Sequence, residues 1–174
     1  MMEEIDMIED ERYFNAPWGT LLKVISFLGS LLLVGVFGGM ILSGRASTLV
    51  TMILYSLIPI LTLSISLLFT IRGYSILGNS LRIRRLMWYT DIDISMLQSV
   101  EYDPKAMTGS IRTFGNGGLF SFSGSYKSGK LGSFKAYVTD FKNCVILKTS
   151  GLTFVVSPEN PELFVEILRN LRFE

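Results

Sequence analysis

The sequence predicts an α+β protein: a two-helix transmembrane hairpin, then an antiparallel β-barrel or sandwich of about seven strands capped by one C-terminal helix. Three observations carry this expectation. Residues 24–42 and 49–71 contain no formally charged side chain. After residue 72 the apolar residues alternate in short runs broken by turn signals, the two-residue period of strands. From residue 157 onward the period lengthens to that of a helix. The mean hydropathy of +0.43 is high for a soluble chain, and residues 21–71 supply most of it.

Taken in order, residues 1–20 read as an acidic, disordered tail, 21–72 as the hairpin and 73–174 as the β-rich domain. The tail holds six acids (Glu3, Glu4, Asp6, Glu9, Asp10, Glu11) against Arg12, whereas the chain from Arg72 onward is net +4. Acidity with few core-forming residues favours a solvated end, and contact with the basic domain is the alternative.

At 1.5 Å per residue the two apolar segments are about 29 and 34 Å long, enough to cross a hydrocarbon core of roughly 30 Å. Residues 43–48 (SGRAST) allow only a tight turn, so both chain ends lie on one side. The turn offers Arg45 alone, while Arg12, Lys23, Arg72, Arg82, Arg84 and Arg85 flank the hairpin. The excess of positive charge there predicts two spans in the cell membrane with both termini in the cytoplasm. A cleaved signal peptide is excluded by the acidic leading segment and by the second span. Trp18 precedes the first span, where an indole favours the interface. Gly35 and Gly39, with Gly38, permit close helix approach, either inside the hairpin or between copies. Pro59 predicts a kink, with Ser64 and Ser66 near the freed carbonyls. Neither span carries an Asp, Glu, Arg or Lys, so transport or proton-relay machinery is not visible.

In the domain, Tyr74–Leu77 leads through Gly78-Asn79 into Leu81–Trp88. Further runs cover 98–102, 110–114, 134–139, 143–148 and 152–156. Ser157 and Pro158 suit a helix start, and Leu163, Phe164, Ile167, Leu168 and Leu171 form one apolar stripe.

Residues 111–126 (IRTFGNGGLFSFSGSY), with Gly132-Ser133-Phe134, Val155-Val156-Ser157-Pro158 and Phe164, carry a resemblance to a known family. The chain resembles the bacterial pleckstrin-homology (PH) domains, of the membrane-anchored type that follows a transmembrane hairpin. The resemblance implies a bent seven-stranded barrel with a C-terminal helix over its open corner, across roughly residues 74–171. In PH domains that bind phosphoinositides, a basic-x-Arg pair on the second strand contacts the headgroup. Arg82-Ile83-Arg84 is similar to that pair, but Tyr74–Leu77 lacks the basic residue of the first strand. Juxtamembrane charge that holds topology is the other reading of Arg82, Arg84 and Arg85.

The glycine-rich stretch 114–132 also admits two readings. One is a twisted hairpin packing its aromatics inward. The other is a mobile loop presenting Phe120 and Tyr126 to a partner, with Lys127 and Lys130 contacting anionic lipid.

Several chemistries are excluded. The chain has no histidine, so Ser-His-Asp, Cys-His and His-ligated zinc sites are impossible. Residues 124–131 (GSYKSGKL) fall short of a phosphate loop, because Leu131 stands where a Mg²⁺-ligating Ser or Thr is required. Asp91 with Asp93, and Glu101 with Asp103, read as solvated turn residues. Cys144 is the single cysteine and forbids an internal disulfide. These readings predict no enzyme, no cofactor, no nucleotide and no nucleic acid. They predict a binding or scaffolding module at the cytoplasmic face whose partners are a protein, its own copies or anionic membrane lipid. The alternative is an accessory subunit of a membrane complex or transporter, acting through an oligomerised hairpin.

Overall fold

The computed structural model describes residues 11–173. It contains ten strands and three α-helices: β1 (Arg12–Asn15), α1 (Thr20–Leu42), α2 (Leu49–Leu68), β2 (Ile71–Leu77), β3 (Ser80–Arg85), β4 (Tyr89–Asp93), β5 (Leu97–Tyr102), β6 (Ile111–Gly117), β7 (Phe122–Ser128), β8 (Gly132–Val138), β9 (Val145–Thr149), β10 (Thr153–Val156) and α3 (Pro161–Phe173).

The two long helices are apolar, charge-poor and almost wholly exposed. Phe27, Leu32, Leu49 and Val50, for example, are each more than 60% exposed. Thr48 caps α2 by accepting from the Thr51 N–H, while the Thr51 hydroxyl accepts from the Thr48 N–H. Pro59 sits inside one uninterrupted helix rather than ending it. The hydroxyls that fold back on α2 carbonyls are Ser56 and Thr62, not the expected Ser64 and Ser66. The first turns of α1 pack on the domain: Leu22 is fully buried among Phe122, Val138 and Val155.

The domain is a pair of sheets, β1-β2-β3-β4 and β5-β9-β10-β8-β7-β6. Sandwiched apolar side chains and α3 fill the space between them. Ile71, Tyr74, Ile76, Leu81 and Ile83 from one sheet meet Val145, Leu147 and Val156 from the other, with Phe164 and Leu168 of α3. The sheets are joined by a buried hydroxyl hub. The Tyr74 hydroxyl donates to the Tyr137 carbonyl at 2.7 Å, and it accepts from the Ser157 N–H at 3.1 Å. The Ser157 hydroxyl accepts from the Thr139 N–H at 2.8 Å.

Four expectations are corrected. Residues 12–15 are not part of a disordered tail: β1 pairs antiparallel with β2, and Phe14 meets Phe164 edge-on at 5.0 Å. Residues 1–10 lie outside the described residues. The run 81–88 is not one strand. It breaks after Arg85, whose N–H donates to the Trp88 carbonyl, and Trp88 packs edge-on against Phe69. The sheet is not wholly antiparallel, because β10 runs parallel to β8. Finally, Ser157 does not cap α3. It is consumed by the hub, and Asn160 caps instead, its Oδ1 accepting from the Leu163 N–H ahead of Pro161.

Candidate functional site

The glycine-rich stretch folds as a β-hairpin, β6–β7, with a tip at residues 118–121. The packing of its aromatics agrees with the hairpin reading. Tyr126 is buried, stacked on Phe134 at 5.9 Å, with its hydroxyl donating to the Asn116 carbonyl. Phe120 is half-buried and lies against Trp18 at 5.9 Å. Tyr126 is thus withdrawn from solvent, while Phe120 stays at the tip, partly exposed. Gly115 and Gly124 oppose each other across the pair, and a Cβ on Gly124 would fall on the Phe114 carbonyl oxygen.

The tip fits between the domain ends of the two long helices. Ser26 of α1 donates to the Gly118 carbonyl and accepts from the Phe120 N–H. Ser121 donates to the carbonyl of Phe69, the residue capping α2. Gly118 has φ +119°, and a Cβ there would lie 2.8 Å from the Phe122 ring and 3.1 Å from Ile25.

Around this junction the arginines gather. Arg82, Arg84 and Arg85 line one hollow of about 350 Å³, roofed by Leu86, Met87 and Trp88. Their electrostatic states differ. Arg82 makes a two-pronged ion pair with Asp91 at 2.8 and 3.1 Å and lies 4.0 Å over the Tyr89 ring. That bond holds the Arg82 guanidinium above its ordinary pKa. Arg84 pairs with Glu11. Arg85 is different. It is half-buried, donates to the Thr90 hydroxyl at 2.7 Å, and lies over the Trp88 and Tyr137 rings. Burial lowers its pKa from the ordinary value. Its Nε–H finds no acceptor, and no carboxylate among the described residues pairs with it.

Arg85 also borders a second, larger groove of about 580 Å³ between the end of α2 and the β6–β7 hairpin. Arg112 enters it from the other side and donates to the Gly115 carbonyl at 3.1 Å. Sequence reasoning missed Arg112. Regular alternation would not have found it, because the β6–β7 register shifts between Arg112 and Phe114, and both residues line the groove across that bulge.

The other candidates lie apart. Lys127 is six residues along β7 from Ser121, about 20 Å away at strand rise. Lys130 is in the turn beyond it, paired with Asp103. The bond from Lys130, with the Lys105 N–H, holds the Asp103 carboxyl below its usual range. Lys127 nevertheless stands opposite Ile111 and is a cross-strand neighbour of Arg112, so it adjoins the outer arginine of the groove while lying far from the hairpin tip. Gly35 and Gly39 face open space: no atom lies within 4 Å of a Cβ on either. The hairpin closes elsewhere, for instance where Phe37 meets Tyr55 at 6.3 Å. Cys144 is buried in the core, and burial pushes its thiol up.

Comparisons with curated proteins and with solved structures each returned no match. The model of a family described as "Bacterial PH domain" matches residues 72–172, β2 to the end of α3, more than half of the chain. The two-sheet core closed by a C-terminal helix agrees with that match, and the protein accordingly belongs to the bacterial PH domain family.

Proposed function

We propose that this chain is a membrane-anchored binding module: α1 and α2 span the bilayer, and the PH domain lies against its cytoplasmic surface to engage partners there. The observation that carries the reading is the continuity of helix and sheet. α2 ends at Leu68 and β2 begins at Ile71, with no linker between them. Two helices about 34 and 30 Å long, exposed along their lengths, have no counterpart as the core of a soluble domain. The bend at residues 86–88 supports the same orientation. Met87 is 73% exposed, and Trp88 packs on the residue capping the second helix, so the bend meets the bilayer at interface depth. Arg72, Arg84 and Arg85 then lie at headgroup level, where each base near an anionic surface contributes about 1 kcal/mol. Lys127 and Lys130, at the far end of β7, face away from the bilayer toward protein partners. PH domains generally bind rather than catalyse.

The test is alkaline carbonate extraction with cysteine labelling. The chain stays with the membrane pellet, and a Ser47→Cys variant in the turn is modified from outside intact cells. Native Cys144 is buried and gives no background in the folded protein. A chain released by carbonate ends the anchored reading, and a Ser47→Cys thiol labelled only after lysis reverses the orientation.

A second reading is favoured by the open glycine face. Gly35 and Gly39 point away from the partner helix of their own hairpin, which leaves that face free for another transmembrane helix. Disulfide cross-linking in membranes with Val36→Cys reads this association directly, and an absence of cross-links in native membranes removes it.

A further inference from the structure

We propose that the groove between the end of α2 and the β6–β7 hairpin holds one bilayer phospholipid, its anionic headgroup on Arg85 and Arg112 and an acyl chain along α2. The inference rests on the membrane-anchored reading above.

The volume of about 580 Å³ is that of a small-ligand site and accommodates a headgroup with the first carbons of its chains. Its walls are apolar: Ile65 and Phe69 of the helix end, Phe114 and Leu119 of the hairpin. The polar atoms inside are nearly all committed. Asn116 bonds its own turn, accepting from the Gly118 and Leu119 N–H groups and donating to the Leu119 carbonyl. Ser123 shares a hydrogen bond with Ser121. What remains is the guanidiniums of Arg85, its Nε–H unused, and Arg112, with the hydroxyls of Ser66 and Tyr137 beside them. A site whose only formal charges are cationic, with hydroxyls able to donate beside them, selects a ligand of acceptors, and phosphate oxygens fit that geometry. No Asp or Glu lines the groove, so the amine of a zwitterionic headgroup would find no counter-charge.

Position selects a lipid over a free anion. Ile65 and Ser66 belong to the apolar helix itself, and four residues of rise separate Ile65 from Phe69, about 6 Å. The apolar wall is therefore continuous with the lipid-facing surface of α2. A chain can pass from the groove into the bilayer without crossing water, whereas inorganic phosphate would leave that wall wet. Arg85 is half-buried without a carboxylate, and a bound phosphate supplies the missing counter-charge.

The experiment is native mass spectrometry of the full chain. It is purified in mild detergent from nanodiscs of phosphatidylglycerol, of phosphatidylcholine, or of an equal mixture. One phosphatidylglycerol per chain is retained from the mixture, at least ten-fold over phosphatidylcholine, and added inorganic phosphate does not displace it. Arg112→Gln, at an exposed position and with an unchanged circular-dichroism spectrum, lowers retention several-fold; Arg85→Gln lowers it further, and Arg85→Lys restores part of it. Lys148→Gln, exposed on β9 and four places from β6 in the sheet order, changes nothing. Equal retention of the two lipids, displacement by inorganic phosphate, or undiminished retention in Arg112→Gln overturns the proposal. A co-purifying peptide in the groove overturns it as well. Carbonate extraction of the same samples separates the two readings: a chain that stays embedded but carries no lipid refutes the groove alone.

Discussion

The hydroxyl of Ser26 and the backbone of Phe120 are locked together: Ser26 Oγ accepts the Phe120 N–H at 2.9 Å while donating to the neighbouring Gly118 carbonyl at 3.0 Å. Phe120 has φ +68°, the one non-glycine residue in the left-handed region among those described. A strained residue persists only where its surroundings over-determine it. Here the surroundings are one serine of the first long helix and the Trp18 ring.

Replacing that serine by alanine leaves a buried N–H without its acceptor. Ser26→Ala is expected to destabilise the chain by about 1–2 kcal/mol. Thermal unfolding in detergent, followed by circular dichroism, reads the effect as a lower Tm. An unchanged Tm would mean that ring packing alone holds the hairpin tip.

β1 comes from the far side of the helical hairpin, yet it completes the first sheet. Its buried anchor is Phe14, packed on Phe164. Phe14→Ala removes a large core ring and is expected to cost about 3–4 kcal/mol. Tyr13→Ser, on the exposed face of the same strand, costs less than about 1.5 kcal/mol by comparison, the value of its hydrogen bond to the Arg72 carbonyl. Denaturant titration of the two variants checks the order. Equal losses would deny β1 its core role.

Asp103 gives the fold an acid-sensitive element. Its carboxyl is held below the unfolded value of about 3.9 by Lys130 and the Lys105 N–H. A depressed carboxylate contributes stability that is complete above the unfolded pKa and is lost as pH falls through the folded one. Asp103→Asn should therefore lower Tm slightly at pH 7, by the equivalent of less than about 1 kcal/mol for so exposed a lysine partner. The gap between variant and parent should close on titration to about pH 2. A gap that is constant across that range would assign the effect to packing.

Much of this architecture is written in local patterns. The charge-free runs locate both long helices to within a few residues, and the stripe from Leu163 to Leu171 marks α3, because one-dimensional periodicity encodes burial directly. What escapes is whatever depends on a distant partner. Four residues, Arg12–Asn15, carry too little alternation to read as a strand beside six acids; only pairing with β2 makes them one. Alternation is blind to direction, so the parallel β10–β8 pair is invisible to it. Ser157 reads as a helix cap because a cap needs only a local N–H, whereas the N–H it serves is that of Thr139, eighteen residues back. The candidate site shows the same limit. Arg82, Arg84 and Arg85 are legible as a basic cluster. Which of them is neutralised depends on Glu11 and Asp91, and Arg112 joins Arg85 only through the tertiary fold.

The pairing of β1 with β2 has a consequence for biosynthesis. These neighbouring strands are separated in the polypeptide by both hydrophobic segments, so if those segments span a bilayer, as proposed, the strands can meet only when the nascent chain returns to the compartment it left. A product threaded across once would maroon its leading strand on the opposite side, and the β-domain would lack an edge and the ring that seals it. Under that proposal, completion of the first sheet by β1 depends on the double crossing.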